Sequence, residues 1–229
     1  MCIEGIDGSG KSTQSALLQE NLLSAGFQVC VRSYPVYSSF FGRVIGEALA
    51  ADTEVSAAAQ DPRSMALWYG MDRWLDFHSN PDVFATRGFV ILNRYTLSSI
   101  VYQSTRSSTP HQISNWIEEL EHNILGLPKP NLYIILNTHH CEAMSKVLEK
   151  GVRDYIGNKS DIYEQDQDLQ ERAREMYVYL GRSLPNANIV ECQDSAGRML
   201  SPDLIANDVL ASVLKAYQLA HVRSDGERL

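Results

Sequence analysis

The sequence predicts an α/β fold in which a five-stranded parallel sheet is flanked by helices on both faces. Two observations carry this prediction. Short apolar runs alternate with longer helical patterns along the 229 residues, and strand–helix alternation of that kind implies a parallel sheet covered on each side. Between the first strand and helix stands Gly-Ile-Asp-Gly-Ser-Gly-Lys-Ser, residues 5–12. Its G-x-x-x-x-G-K-[ST] spacing is that of a loop that cradles phosphates, so the expected architecture is a P-loop NTPase fold.

Cys2–Glu4 is the first strand, a very short one because only Met1 to Glu4 precede the loop. Gly5, Gly8 and Gly10 let consecutive backbone N–H groups converge on a polyphosphate. Lys11 can reach the β- and γ-phosphates, and the Ser12 hydroxyl can ligate Mg²⁺. The helix expected over 12–25 adds its dipole to this anion site, and Gly26 follows it as a C-cap does. Phe27–Val31 reads as the second strand, leading to Tyr34-Pro35-Val36-Tyr37 on the same sheet edge. Helices are expected over 40–51 and 62–79, with Pro62 where a first-turn proline is tolerated.

Phe89–Leu92 is the third strand, followed by helices over 96–104 and 111–125. Leu132–Leu136 is the fourth, with a helix over 139–150 behind it. The polar, non-periodic stretch Lys150 to Ser160 reads as a short lid. A helix over 164–182, the strand Ile189–Glu191 and a helix over 202–220 complete the order, Pro202 again fitting a first turn. With no internal repeat or low-complexity tract, residues 1–229 are expected to form one domain, its lid at about 150–163.

Composition narrows the function classes. A net charge of −8 and a pI of about 5.2 leave no diffuse basic field for a nucleic-acid backbone, so no nucleic-acid partner is expected. Any anionic ligand must be met by locally clustered arginines. Cys2, Cys30, Cys141 and Cys192 form no C-x-x-C pair, and three of them lie in or at the edge of apolar strand-like runs, where a reduced cysteine reads as a small hydrophobe. Absence of a signal peptide, lipidation motif or long apolar span points to a cytoplasmic chain without a membrane partner.

Further chemistry is expected beyond the carboxyl ends of the strands, where parallel sheets bind ligands. The third strand delivers Asn93-Arg94-Tyr95 there, and an arginine at that edge can neutralise a transferring phosphoryl group. Its position after a buried strand favours that role over a surface ion pair. Tyr69 and Arg73, four apart, share a helix face. They can stack on a base and donate to its carbonyl, although alone the pattern is more often a packing pair. Ser98, Ser99, Tyr102 and Gln103 follow Arg94 on a helix and can equally be plain helix surface. Two apparent signals fail. Asp154–Gly157 and Asn158–Asp161 mimic GTPase motifs, but they are contiguous and no strand precedes either. His139-His140-Cys141 point in different directions and lack a completing ligand cluster.

Taken together, these residues resemble the thymidylate kinase family of nucleoside monophosphate kinases, over nearly the whole chain and in order. The resemblance rests on residues 4–14, Tyr-Pro at 34–35, Asp-Arg at 72–73, Arg-Tyr-x-x-Ser at 94–98 and Tyr-Gln at 102–103. Leu-Pro-Lys-Pro-Asn at 127–131 and Asp-Ile-Tyr-Glu at 161–164 extend it. It implies ATP-dependent phosphorylation of dTMP to dTDP with Mg²⁺, by a homodimer. Gly5, Asp7, Gly8, Ser9, Gly10, Lys11, Ser12 and Thr13 would form the ATP loop, with Asp7 also accepting from the 3′-hydroxyl of dTMP. Tyr69 would stack on thymine and Arg73 bind its carbonyl, while Ser98 and Ser99 touch the pyrimidine edge and Tyr102 crowds the 2′ position. Tyr37 and Arg94 would hold the acceptor phosphate, and Tyr163 and Glu164 close from the lid.

Three departures follow. Asn93 stands where the family has an aspartate, leaving Ser12, the phosphates and Asp161 to hold the ion. The loop carries no arginine at its variable positions, which makes Arg153 the first candidate for a catalytic cation from the lid, ahead of Lys150 and Lys159. Val36 replaces an arginine found in some relatives. The alternatives to a dTMP kinase are a kinase for another nucleotide or nucleoside, and a nucleotide-binding homologue whose catalysis Asn93 has weakened.

Overall fold

A computed structural model of the chain describes residues 1–50, 56–85, 88–139 and 161–226. The helix expected over 139–150 and most of the lid lie outside these residues. The sheet has five strands: β1 (Cys2–Glu4), β2 (Val29–Ser33), β3 (Phe89–Asn93), β4 (Tyr133–Asn137) and β5 (Ala187–Glu191). They run parallel in the order β2-β3-β1-β4-β5. Helices α1 (Lys11–Ser24), α2 (Phe40–Leu49), α3 (Pro62–Ser79), α4 (Pro81–Phe84), α5 (Thr96–Thr105) and α6 (Pro110–Glu118) fall between β1 and β4. Then come α7 (Ile162–Gln165), α8 (Gln167–Ser183) and α9 (Pro202–Gly226).

Helices α1 and α9 pack together on one face of the sheet, where Ile3, Ile91, Ile134 and Val190 meet Leu18, Leu22, Ile205 and Val209. On the other face Cys2, Leu92 and Ile135 meet Met65 of α3, Leu97 and Val101 of α5 and Tyr177 of α8. The central strands β3, β1 and β4 are therefore covered by apolar contacts on both sides, as a parallel sheet requires. Helix α2 lies so close to the turn after β2 that a Cβ at Gly42 would collide with the Val36 carbonyl.

The order places β1 at the centre, with the chain turning to one side after β1 and crossing to the other after β3. Register then decides what meets the loop. Ile3 stands opposite Asn93 and Ile134, and the Arg94 N–H donates to the Ile3 carbonyl at 3.0 Å. The residues that follow β1 and β3 thus emerge side by side at the carboxyl edge.

Four local features depart from the sequence expectation. The second strand is displaced by two residues, running from Val29 to Ser33, and the fifth starts two residues early, at Ala187, while ending at Glu191 as expected. Pairing selects these boundaries, since Val29–Ser33 matches Phe89–Asn93 residue for residue. The helix expected over 164–182 is split at Asp166, whose side chain caps α8 through the Leu169 N–H at 2.9 Å. Helix α6 widens into a π-helical turn over Glu119–Ile124, and α4 has no counterpart in the expectation.

Candidate active site

Gly8 and Gly10 take φ values of 76° and 90°, which a residue with a Cβ adopts only under strain. At Gly5 a Cβ would approach the Leu136 carbonyl to 2.8 Å, so only glycine lets β1 enter the loop beside β4. Lys11 is buried and folds its ammonium onto the carbonyls of Gly5 and Ile6 at 3.0 and 2.6 Å. Ser12 and Thr13 are exposed in the first turn of α1, while Ser9 is buried and its hydroxyl makes no hydrogen bond.

One cavity of about 400 Å³ opens at this edge. Asp7, Gly8, Gly10, Lys11 and Ser12 line it from the loop, and Tyr37 from the turn after β2. Tyr69 and Arg73 line it from α3, Arg94, Ser98, Ser99 and Tyr102 from β3 and α5, and Asp161 and Tyr163 from the lid end. Fourteen residues chosen from sequence thus share one cavity, while Gly5, Ser9 and Thr13 of the same loop and helix turn do not line it. Arg153 lies outside the described residues.

Asp7 is the node. Its carboxylate pairs with Arg94 and accepts from the Tyr102 hydroxyl at 2.9 Å and the Gln170 amide at 3.0 Å. Burial raises its pKa, but Arg94, Lys11 and these hydrogen bonds outweigh burial and hold it well below the usual carboxylate range. Arg94 is the one non-glycine residue of positive φ among the described residues, at 64°. That strained backbone turns its guanidinium toward Asp7, the Gly5 carbonyl and the Ser98 hydroxyl, with its charge 5.5 Å from the Tyr102 ring.

The second anchored arginine is Arg73. Nε and Nη2 donate to Glu121 at 2.9 and 2.5 Å, and Nη2 also donates to Ser99 at 2.6 Å. Burial works against its charge, but Glu121 outweighs it and holds the pKa above the ordinary arginine value. The π-helical turn aims Glu121 inward. Its neighbour Asp72 ties α3 to the turn carrying Tyr37, accepting from the Val36 N–H at 2.7 Å and the Ser39 hydroxyl at 2.5 Å. Asp161 caps α7 through the Tyr163 N–H at 2.8 Å. The Tyr163 ring stacks parallel to Tyr102, with centroids 6.0 Å apart.

Sequence reasoning missed the residues that hold these groups in place. Glu4 is fully buried and accepts from the Tyr95 N–H at 2.8 Å, Ser98 at 2.6 Å and Tyr177 at 3.1 Å. Its signal was a charged residue inside an apolar strand. Glu121 and Gln170 were also legible, as polar residues on the apolar stripes Ile113–Ile117–Glu121 and Gln170–Ala173–Tyr177. Gln103, already placed on this helix by its spacing from Arg94, lines the cavity and is fully buried.

Known proteins resemble this chain in sequence and in fold. The family model described as thymidylate kinase matches residues 3–199. Thymidylate kinase from Mycobacterium tuberculosis is 29% identical over 189 residues, covering 79% of this chain and 84% of the relative. A probable thymidylate kinase from Methanosphaera stadtmanae is 30% identical over 209 residues, covering 91% and 95%. The solved structure of thymidylate kinase from Candida albicans superposes with a TM-score of 0.67 over 93% of this chain and 90% of that one, at 23% identity. The fold, the loop and these matches agree: the chain belongs to the thymidylate kinase family.

Proposed function

We propose that this enzyme transfers the γ-phosphoryl group of ATP to dTMP, giving ADP and dTDP. One observation carries the reading: the phosphate loop, the pair Tyr69 and Arg73, and the Asp7–Arg94–Tyr102 cluster all line one cavity. The loop N–H groups and Lys11 hold the donor phosphates. Tyr69 stacks on thymine, and Arg73, held by Glu121 and Ser99, donates to its carbonyl. Asp7 accepts from the 3′-hydroxyl, and Tyr102 crowds the 2′ position.

Phosphoryl transfer asks mainly for alignment and neutralisation of charge on the equatorial oxygens. Arg94 and Tyr37 hold the acceptor phosphate in line. Arg94 stays protonated at every working pH, because Asp7 outweighs the burial that would lower its pKa. Arg153 is the cation supplied by the lid, and lid closure excludes water from the transfer. No covalent intermediate is required.

The residues present suit Mg²⁺. The Ser12 hydroxyl is exposed at the loop mouth, and Asn93 Nδ2 donates to it at 3.3 Å, leaving the buried Asn93 Oδ1 without a hydrogen bond. Ser12, Asp161 and phosphate oxygens would hold the ion, hard oxygens throughout. When bound, the ion neutralises charge on the donor phosphates.

Residues 1–229 act as one kinase domain with its lid at about 150–163, as a homodimer in the cytoplasm. No helix among the described residues is long and apolar enough to cross a membrane. The test is ADP formation with dTMP, dUMP, dGMP, CMP and thymidine in parallel. Faster turnover of a purine monophosphate than of dTMP overturns the assignment. Asn93 favours a second reading, a homologue with weakened catalysis. Tight binding of ATP and dTMP by calorimetry without dTDP formation establishes that one instead.

A further inference from the structure

Asp72 stands on α3 directly before Arg73 and is fully buried. Consecutive residues of a helix point about 100° apart, and the two side chains part accordingly. Arg73 lines the cavity, while Asp72 turns to the chain between β2 and α2. Each carboxylate oxygen takes one donor there. Oδ2 accepts from the Val36 N–H at 2.7 Å and Oδ1 from the Ser39 hydroxyl at 2.5 Å.

Ser39 passes the tie onward. Its N–H donates to the Val36 carbonyl at 2.7 Å, and its Oγ accepts from the Gly42 N–H at 2.8 Å, capping α2. Tyr37 lies inside this ring of hydrogen bonds and lines the cavity. Asp76 is one turn further along α3, on the same face as Asp72. It accepts from the Tyr34 hydroxyl at 2.8 Å and pairs with Arg32 at 3.3 Å, so the end of β2 is held by the same helix. Helix α3 therefore carries the arginine of the base side and, one residue away, the anchor of the turn on the phosphate side.

We propose that Asp72 is a positioning residue that fixes the Tyr37 turn relative to Arg73, and so sets the reach from base to acceptor phosphate that a nucleoside monophosphate must match. This deepens the dTMP reading and rests on it. A buried carboxylate that only steadied the fold would, when lost, weaken every ligand of the cavity alike. Loss of a positioning carboxylate is felt through the phosphate.

The experiment measures the affinities of dTMP and thymidine by calorimetry, since thymidine has the same base and sugar and no phosphate. Asp72→Ala should lower the dTMP-to-thymidine affinity ratio about tenfold, the scale of the hydrogen bonds it removes from the turn. Asp72→Asn can accept from the Val36 N–H and donate to Ser39 Oγ, and should keep the ratio within about threefold of wild type. Equal losses for both ligands in Asp72→Ala overturn the proposal, as does an effect of Asp72→Asn as large as that of Asp72→Ala. Where Asp72→Ala does not fold, Ser39→Ala removes one arm of the tie and should lower the ratio about threefold; an unmoved ratio there overturns the proposal too. Failure of the underlying dTMP reading shows in the wild type, which then binds dTMP no more tightly than thymidine, and it removes this proposal as well.

Discussion

The Arg94 guanidinium pairs with the Asp7 carboxylate across 87 residues of sequence, closing the gap between the ends of β3 and β1. Neither residue is placed by its own element alone. Arg94 reaches Asp7 because β3 pairs with β1 in a register that sets Asn93 opposite Ile3, and because its backbone is held at a φ of 64°.

On the proposed reading Arg94→Ala removes the arginine that neutralises the transferring group, and it leaves Asp7 with Lys11 as a positive neighbour. The expected result is a fall in kcat of at least ~10³-fold with the fold intact, since comparable charge-neutralising arginines contribute on that scale. A loss of only tenfold would demote Arg94 to a structural role.

Asn93→Asp puts a carboxylate where Asn93 Oδ1 lacks a hydrogen bond, beside Ser12. Half-maximal activity should then need less Mg²⁺, by roughly tenfold, because a carboxylate is the harder and more strongly binding ligand. An unchanged Mg²⁺ titration places the side chain outside the metal's surroundings.

Glu121→Ala leaves the Arg73 guanidinium buried with Ser99 as its remaining polar acceptor. A stranded buried charge typically costs about 3–5 kcal/mol, so urea denaturation should show a loss of that size. The KM for dTMP should rise in the same variant, because Arg73 loses its orientation. Stability within about 1 kcal/mol of wild type contradicts the account.

Glu4 makes stability depend on pH. Burial raises its pKa, against hydrogen bonds from Ser98, Tyr177 and Tyr95 and the charge of Arg94. A carboxyl whose folded pKa is raised binds its proton more tightly when folded. Its contribution is therefore fully present below the ordinary glutamate value and is lost as pH rises through the folded pKa. Glu4→Gln cannot ionise. Wild type should lose Tm relative to Glu4→Gln as pH rises above the ordinary glutamate range, and parallel Tm curves would exclude the effect.

Gly42 and Gly181 separate rigid from yielding contacts. A Cβ at Gly42 would strike the Val36 backbone and come within 2.9 Å of Tyr37 Cα, whereas at Gly181 it meets the side-chain ends of Ile135 and Ile189 at 2.8 Å. Gly42→Ala should cost about 3 kcal/mol and Gly181→Ala about 1 kcal/mol. Only the first should raise the KM for dTMP, since that turn carries Tyr37.

The fold was legible because its signals are local. Alternating strand and helix patterns, the Gly5–Ser12 loop and first-turn prolines at 62 and 202 each act within a few residues of themselves. The offsets in β2 and β5 arose where pairing with a neighbouring strand, not composition, sets the ends. The lining of the site was legible as well, because motif residues follow strand ends and share helix faces. The residues that hold it were harder to read. Glu4, Gln170 and Glu121 make their contacts across 94, 163 and 48 residues of sequence.

The sequence by itself determined a phosphate loop between β1 and α1, a parallel sheet and the residues that would gather at its edge, since each depends on spacing along the chain. Tertiary structure alone decided the strand order, the pairing of Arg94 with Asp7, the clamp of Glu121 on Arg73 and the hydrogen bond of Arg106 to Gln103. Those depend on which distant groups are brought within hydrogen-bonding distance and shielded from water. Burial then makes each such partner necessary, because a charge or amide removed from solvent is stable only where another polar group meets it.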